Sequence, residues 1–147
     1  MPLYRFRLLF VFFLLACCGK PGTANLEHIT GYWEIREVRF PDGGQREYAA
    51  SANVEYFEAD LEKQRGFRKK VQPQVDGRFR TSDDALPMTW SVREGRLFLR
   101  FAGAPEPWEE EVLELGPQRL VTRHANGLVY AYEPYTPLDI MNNPNTE

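Results

Sequence analysis

The sequence predicts an all-β protein, an up-and-down antiparallel meander of about eight to nine short strands closed into a barrel. Three observations predict it. Short runs of alternating apolar residues recur between turn residues. No apolar stripe of helical period is longer than two turns. The turns are tight, so sequential neighbours must pair antiparallel. A meander of that many twisted strands tends to close, because closure removes its unpaired edges. The 147 residues are one domain's worth, with 43% hydrophobic and 14% aromatic content, enough for a single core.

Gly31 to Phe40 is the first strand. Trp33 and Ile35 share one face, Val38 and Phe40 have the other parity, and this change of phase near Glu37 predicts a bulge. Pro41-Asp42-Gly43-Gly44 is a turn cluster. Asn53 to Ala59 sets Val54 and Tyr56 against Phe57. Residues 59–65 read equally as one helical turn or an extended loop. Gly66 to Gln72 places Phe67 and Val71 on one side. Asp76-Gly77 is a hairpin signal before Arg78-Phe79-Arg80. Leu86, Met88, Trp90 and Val92 then share a parity, Glu94-Gly95 turns the chain, and Leu97, Leu99 and Phe101 face one way. Pro105-Glu106-Pro107 is a loop. Trp108 to Leu115 is a strand ended by Gly116-Pro117. Leu120 to His124 and Leu128 to Glu133 flank the hairpin turn Asn126-Gly127.

The N-terminus has a different character. Arg5 and Arg7 precede an apolar run from Leu8 to Ala16. That run is roughly half the ~20 residues a spanning helix needs, the pattern of an export signal. Leu14-Leu15-Ala16-Cys17 resembles a bacterial lipobox. The resemblance implies cleavage before Cys17, a diacylglycerol on its thiol and an acylated amine, palmitate among the chains. Two or three acyl chains anchor stably where one does not. Cleavage before Cys18, or an ordinary signal with incidental cysteines, are the alternatives. No acidic residue follows Cys17 directly, which points to the outer rather than the inner membrane. The expected organisation is a signal peptide at 1–16, a lipidated tether at 17–25, a barrel at 26–136 and a disordered tail at 137–147.

Further along, Gly31-Tyr32-Trp33-Glu34-Ile35 looks like the Gly-x-Trp signature of lipocalins. Together with Tyr56-Phe57, Gly66-Phe67-Arg68-Lys69-Lys70-Val71, Asp76-Gly77-Arg78-Phe79, Leu97-Phe98-Leu99, Trp108-Glu109-Glu110-Glu111, Leu120-Val121 and Tyr130-Ala131-Tyr132, the stretch from about Ile29 to Pro134 resembles the small lipocalin-like lipoproteins of Bacteroidota. The resemblance implies an up-and-down barrel, often with a cavity, and no assigned chemistry. One departure stands out. Classical lipocalins pack an arginine near the end of the last strand over the signature Trp. Residues 128–134 contain none, which leaves Arg123 on the preceding strand as the substitute.

The candidate ligand-binding residues are Trp33, Tyr56, Phe67, Lys69, Trp90, Phe101, His124, Tyr130 and Tyr132, and Cys17 is the lipidation site. By parity the aromatics Tyr56, Phe67, Phe79, Trp90, Phe101, Trp108, Tyr130 and Tyr132 line the interior, as the wall of a pocket or as a filled core. Trp33 reads as a plug at the closed end. Glu58, Lys69, Thr122 and His124 share parities with apolar residues. Facing inward they would need partners; at strand ends they would reach solvent. Arg65, Arg68, Lys69 and Lys70 form a basic run and Glu106, Glu109, Glu110, Glu111 and Glu114 an acidic one, both read as solvated strand faces that can answer each other.

The whole chain carries −3, and loss of the first 16 residues with Arg5 and Arg7 takes it to −5. That charge disfavours nucleic acid as a partner. His28 and His124 lack the company of a metal motif, and Asp83-Asp84 lacks the spacing of a calcium loop. No nucleophile, base and oxyanion donors gather in the sequence. The expectation is a monomeric, non-catalytic envelope lipoprotein without cofactor or metal. It either binds a small hydrophobic or amphipathic ligand or serves as a packed interaction module for an envelope protein. An enzyme would need a deep pocket with His124 and a carboxylate within hydrogen-bond reach. An interior volume of about 300 Å³ or more marks the ligand reading.

Overall fold

A computed structural model describes residues 23–49, 54–81 and 83–137. The signal peptide, Cys17, most of the tether and the tail from 138 lie outside the described residues. Residues 23–25 of the expected tether open a 3-10 helix, Thr23–Ile29, which the sequence pattern did not announce.

Ten strands follow: β1 (Gly31–Arg39), β2 (Gln45–Glu47), β3 (Val54–Asp60), β4 (Arg65–Pro73), β5 (Phe79–Thr81), β6 (Leu86–Arg93), β7 (Arg96–Phe101), β8 (Trp108–Gly116), β9 (Arg119–His124) and β10 (Val129–Pro134). Eight of them, β1, β3, β4, β6, β7, β8, β9 and β10, pair in chain order, and β10 pairs back onto β1. Every pairing is antiparallel. The result is the expected closed meander. β2 and β5 are short extensions on β1 and β4. β2 was not expected, because Gln45-Arg46-Glu47 is exposed throughout and carries no apolar alternation.

The bulge foreseen near Glu37 is present, as a register shift between Ile35 and Glu37. A second bulge shifts β8 between Val112 and Glu114, so Val112 and Leu115 are both buried. The Glu94-Gly95 turn has both residues at positive φ, 52° and 72°, the backbone that matches strand twist in a two-residue hairpin. Residues 61–64 make a tight turn between β3 and β4. Gly66 beside it is required, because any Cβ there would collide with the carbonyl oxygen of Glu58 on the paired strand.

One end of the barrel carries the 3-10 helix and the tight turns. Leu26 and Ile29 from the helix are 1% and 0% exposed and join the core with Trp33, Phe57, Met88, Leu97, Leu99, Phe101, Val112, Leu115, Leu120 and Tyr132. Trp33 donates its ring N–H to the Ile29 carbonyl at 2.8 Å, which fastens the helix to the first strand. The other end carries the longer connections 74–85 and 102–107 and the turn 125–128.

Candidate functional site

Toward that second end a charged layer crosses the apolar interior. Arg68 on β4 and Glu110 on β8 are 8% and 1% exposed. Their side chains meet across the lumen, Arg68 Nη1 donating to Glu110 Oε1 at 2.9 Å. The same oxygen accepts from the Trp108 ring N–H at 3.0 Å and lies 3.2 Å from His124 Nε2. His124 is the residue directly opposite Glu110 on β9. Burial pushes the Glu110 carboxyl up, but the His124 hydrogen bond, the Arg68 and His124 charges and the Trp108 N–H together outweigh it and hold its pKa down at about 2.

The guanidinium is sandwiched by aromatics. Its carbon lies 4.3 Å from the Phe101 centroid, 5.6 Å from Trp108 and 5.9 Å from Phe57, positions in which the ring faces stabilise a cation. Glu55 on β3 approaches from the other side, 3.7 Å from Arg68 Nε. That is too long for a hydrogen bond. Burial pushes the Glu55 carboxyl up, against the opposing charges of Arg68 and Lys70. Burial likewise raises the Tyr132 hydroxyl, helped by the charges of Glu110 and Glu55.

A cavity of about 220 Å³ opens beside this layer, lined by Glu55, Arg68, Lys70, Asp84 and Leu86. At about 30 Å³ each it has room for about seven waters. That is below the volume set as the mark of an ordinary ligand pocket. Among the described residues, Trp33, Phe57, Phe101, Tyr132 and the aliphatic core side chains pack together in the interior.

Of the expected site residues, Trp90, Phe101, Tyr130 and Tyr132 face the core. Trp33 is there too, at 3% exposure, in the plugging position. His124 faces inward with its ring 4.6 Å from Tyr130, and Thr122 is fully buried. Tyr56, Phe67 and Lys69 are corrections. In the β3–β4 register, Phe57 faces Arg68, while Tyr56 pairs with Lys69 and Glu58 with Phe67. Phe57 and Arg68 point inward, so the alternation places Tyr56, Glu58, Phe67 and Lys69 on the outer wall. There Tyr56 contacts Tyr32 and Phe67, and Tyr32 stacks on Phe79 at 4.3 Å. Tyr56 and Phe67 belong to an outer cluster, and the inner face of these two strands carries Glu55 and Arg68 beside Phe57. Phe79 belongs to that cluster as well. Arg123 does not stand in for the lipocalin arginine, since it pairs with Glu111 at 2.6 Å on the outer face.

Sequence reasoning missed Glu55 and misread Arg68 and Glu110 as surface charges. The run Trp108-x-Glu110-x-Val112 held a usable signal, a lone carboxylate between two large apolar residues of one strand parity. The expectation that the basic and acidic runs answer each other is realised at the Arg68–Glu110 pair, inside the barrel. Among the described residues, no group of three or more His, Cys, Asp and Glu converges to hold a metal.

No family model matches the chain, and no curated protein matches it. Two solved structures are similar in fold. One is a lipocalin-like protein from Bacteroides uniformis ATCC 8492, at 11% identity and a TM-score of 0.47, covering 74% of this chain and 99% of that one. The other is an uncharacterized protein from Bacteroides eggerthii DSM 20697, at 13% identity and a TM-score of 0.46, covering 72% of this chain and 98% of that one. The strand pairing by itself gives this chain the eight-stranded up-and-down barrel that the lipocalin resemblance implied.

Proposed function

We propose that this chain is a lipoprotein of the bacterial envelope, anchored through Cys17 in the outer membrane, whose monomeric barrel binds a small amphipathic molecule at its open end and catalyses no reaction. The carrying observation is the 220 Å³ cavity, which sets two acidic and two basic side chains against Leu86. A ligand with one polar end matches that lining; one as large as a long-chain lipid exceeds the volume. Although His124 lies within reach of a carboxylate, a Glu110 held at about 2 is a weak base. Neither residue lines the cavity.

Native mass spectrometry of the full-length chain tests the reading. A small molecule released from wild type and absent from Leu86→Trp, with both proteins folded, is the expected result; wild type without any adduct contradicts it. Labelled palmitate should enter wild type and not Cys17→Ser.

One observation favours a second reading, a packed module that contacts an envelope protein. Phe57, Phe101 and Tyr132 are no more than 5% exposed, and the cavity is smaller than typical ligand pockets. Arg68 cannot take part in such a contact, being buried, so the basic contact surface reduces to Lys69 and Lys70.

A further inference from the structure

Three oxygens in and beside the charged layer have no hydrogen-bond partner among the described residues, although each is shut off from solvent: Glu55 Oε2, Glu110 Oε2 and Thr122 Oγ1. A buried acceptor left unpaired is costly, and such atoms in a native interior mark a place where a water or ligand donates. The charge balance has the same sign. The layer holds two carboxylates, Glu55 and Glu110, against one guanidinium, Arg68, and His124 adds charge only when protonated. Lys70 is exposed at the rim, as is Asp84. The rings of Phe57, Phe101 and Trp108 lie over the Arg68 guanidinium rather than on the cavity, so its apolar lining is Leu86. An anionic ligand would meet Lys70 and Arg68 on the same lining, but it would also lie against Glu55 and share Arg68 with Glu110.

We infer that the occupant of this cavity is a small organic primary ammonium, its N–H donors on the Glu55 carboxylate and its apolar part against Leu86. The inference rests on the ligand-binding reading above and names the chemistry of that ligand. A hydroxyl brings one donor and no charge; a quaternary ammonium brings charge and no donor. A primary ammonium supplies both. Its binding favours the ionised form of Glu55, so affinity rises with pH as that carboxyl loses its proton. The groups facing Glu55 are Arg68 and Lys70 from β4, Glu110 from β8, Tyr132 from β10 and Asp84 from the loop before β6.

The test is calorimetric titration of the full-length chain with n-hexylamine, n-hexanol, hexanoate and hexyltrimethylammonium at neutral pH. Hexylamine should bind at least tenfold more tightly than the other three. Glu55→Gln should remove that preference. Hexanol, hexanoate or the quaternary salt binding as tightly as hexylamine overturns the ammonium inference while the small-ligand site stands. No binding by any of the four overturns both. The comparison on wild type decides the matter whether or not the variant folds.

Discussion

Replacing Arg68 with methionine leaves Glu110, 1% exposed, as a buried carboxylate without its guanidinium. Breaking a buried ion pair from one side costs about 3–5 kcal/mol. A carboxyl held at about 2 in the fold against 4.5 ordinarily contributes about 3 kcal/mol at neutral pH, the net of burial, which raises it, against the His124 hydrogen bond, the Arg68 and His124 charges and the Trp108 N–H, which lower it. Because that folded pKa is depressed, the contribution is complete above pH 4.5 and is lost as pH falls toward 2. Urea denaturation followed by tryptophan fluorescence at pH 7 should therefore show Arg68→Met destabilised by about 3–5 kcal/mol. The double variant Arg68→Met/Glu110→Leu should recover most of that loss, since a buried pair replaced by apolar side chains is often neutral. Recovery stays incomplete, because the ring N–H of Trp108 and His124 Nε2 lose their acceptor. An Arg68→Met change under about 1 kcal/mol, or a double variant weaker than the single, would show that Glu110 does not depend on the buried guanidinium.

Three further perturbations separate the parts of the fold. Glu55→Gln should stabilise the empty barrel by about 1 kcal/mol at pH 7, the scale of one unpaired buried polar group. A raised carboxyl pKa stabilises the fold below the ordinary value of 4.5 and loses that contribution as pH rises through the folded value, so the gain should vanish near pH 4 in the same denaturation assay. Gly66→Ala forces a Cβ onto the Glu58 and Ala59 backbone and should cost at least the upper end of about 1–3 kcal/mol, read as a fall in Tm. Trp33→Ala opens the core and releases the Ile29 carbonyl; it should cost about 3–5 kcal/mol, with hydrogen exchange rising first in the 3-10 helix.

The architecture was legible because tight turns and period-2 alternation are local signals. Asp76-Gly77, Glu94-Gly95 and Asn126-Gly127 all turn the chain where they were read, and the Glu37 bulge was visible as a change of phase. The inner face of β3 and β4 was not legible. Alternation shows which residues share a face, not which face is inside, and the aromatic parity of these strands was assigned inward by default. Tyr56 instead packs on Phe67 and on Tyr32, which stacks on Phe79 outside, leaving Glu55 and Arg68 to the lumen. The compensating charge, Glu110, lies 42 residues from Arg68. A pairing across the barrel of that sequence distance is set by closure, which no single segment encodes. Gln45–Glu47 escaped for a related reason: an exposed strand held by backbone pairing to β1 needs no apolar pattern.

The lumen holds ionised Glu110 against Arg68, and Glu55 faces the cavity with its Oε2 3.7 Å from Arg68 Nε and without a hydrogen bond among the described residues. Carbon-13 NMR titration of the glutamate side-chain carboxyls measures both at once. The account predicts one carboxyl that stays ionised until about pH 2, assigned to Glu110 by its disappearance in Glu110→Gln, and one that takes up its proton above 4.5, assigned to Glu55. Both groups titrating together at the ordinary carboxylate value would place them in water and contradict it.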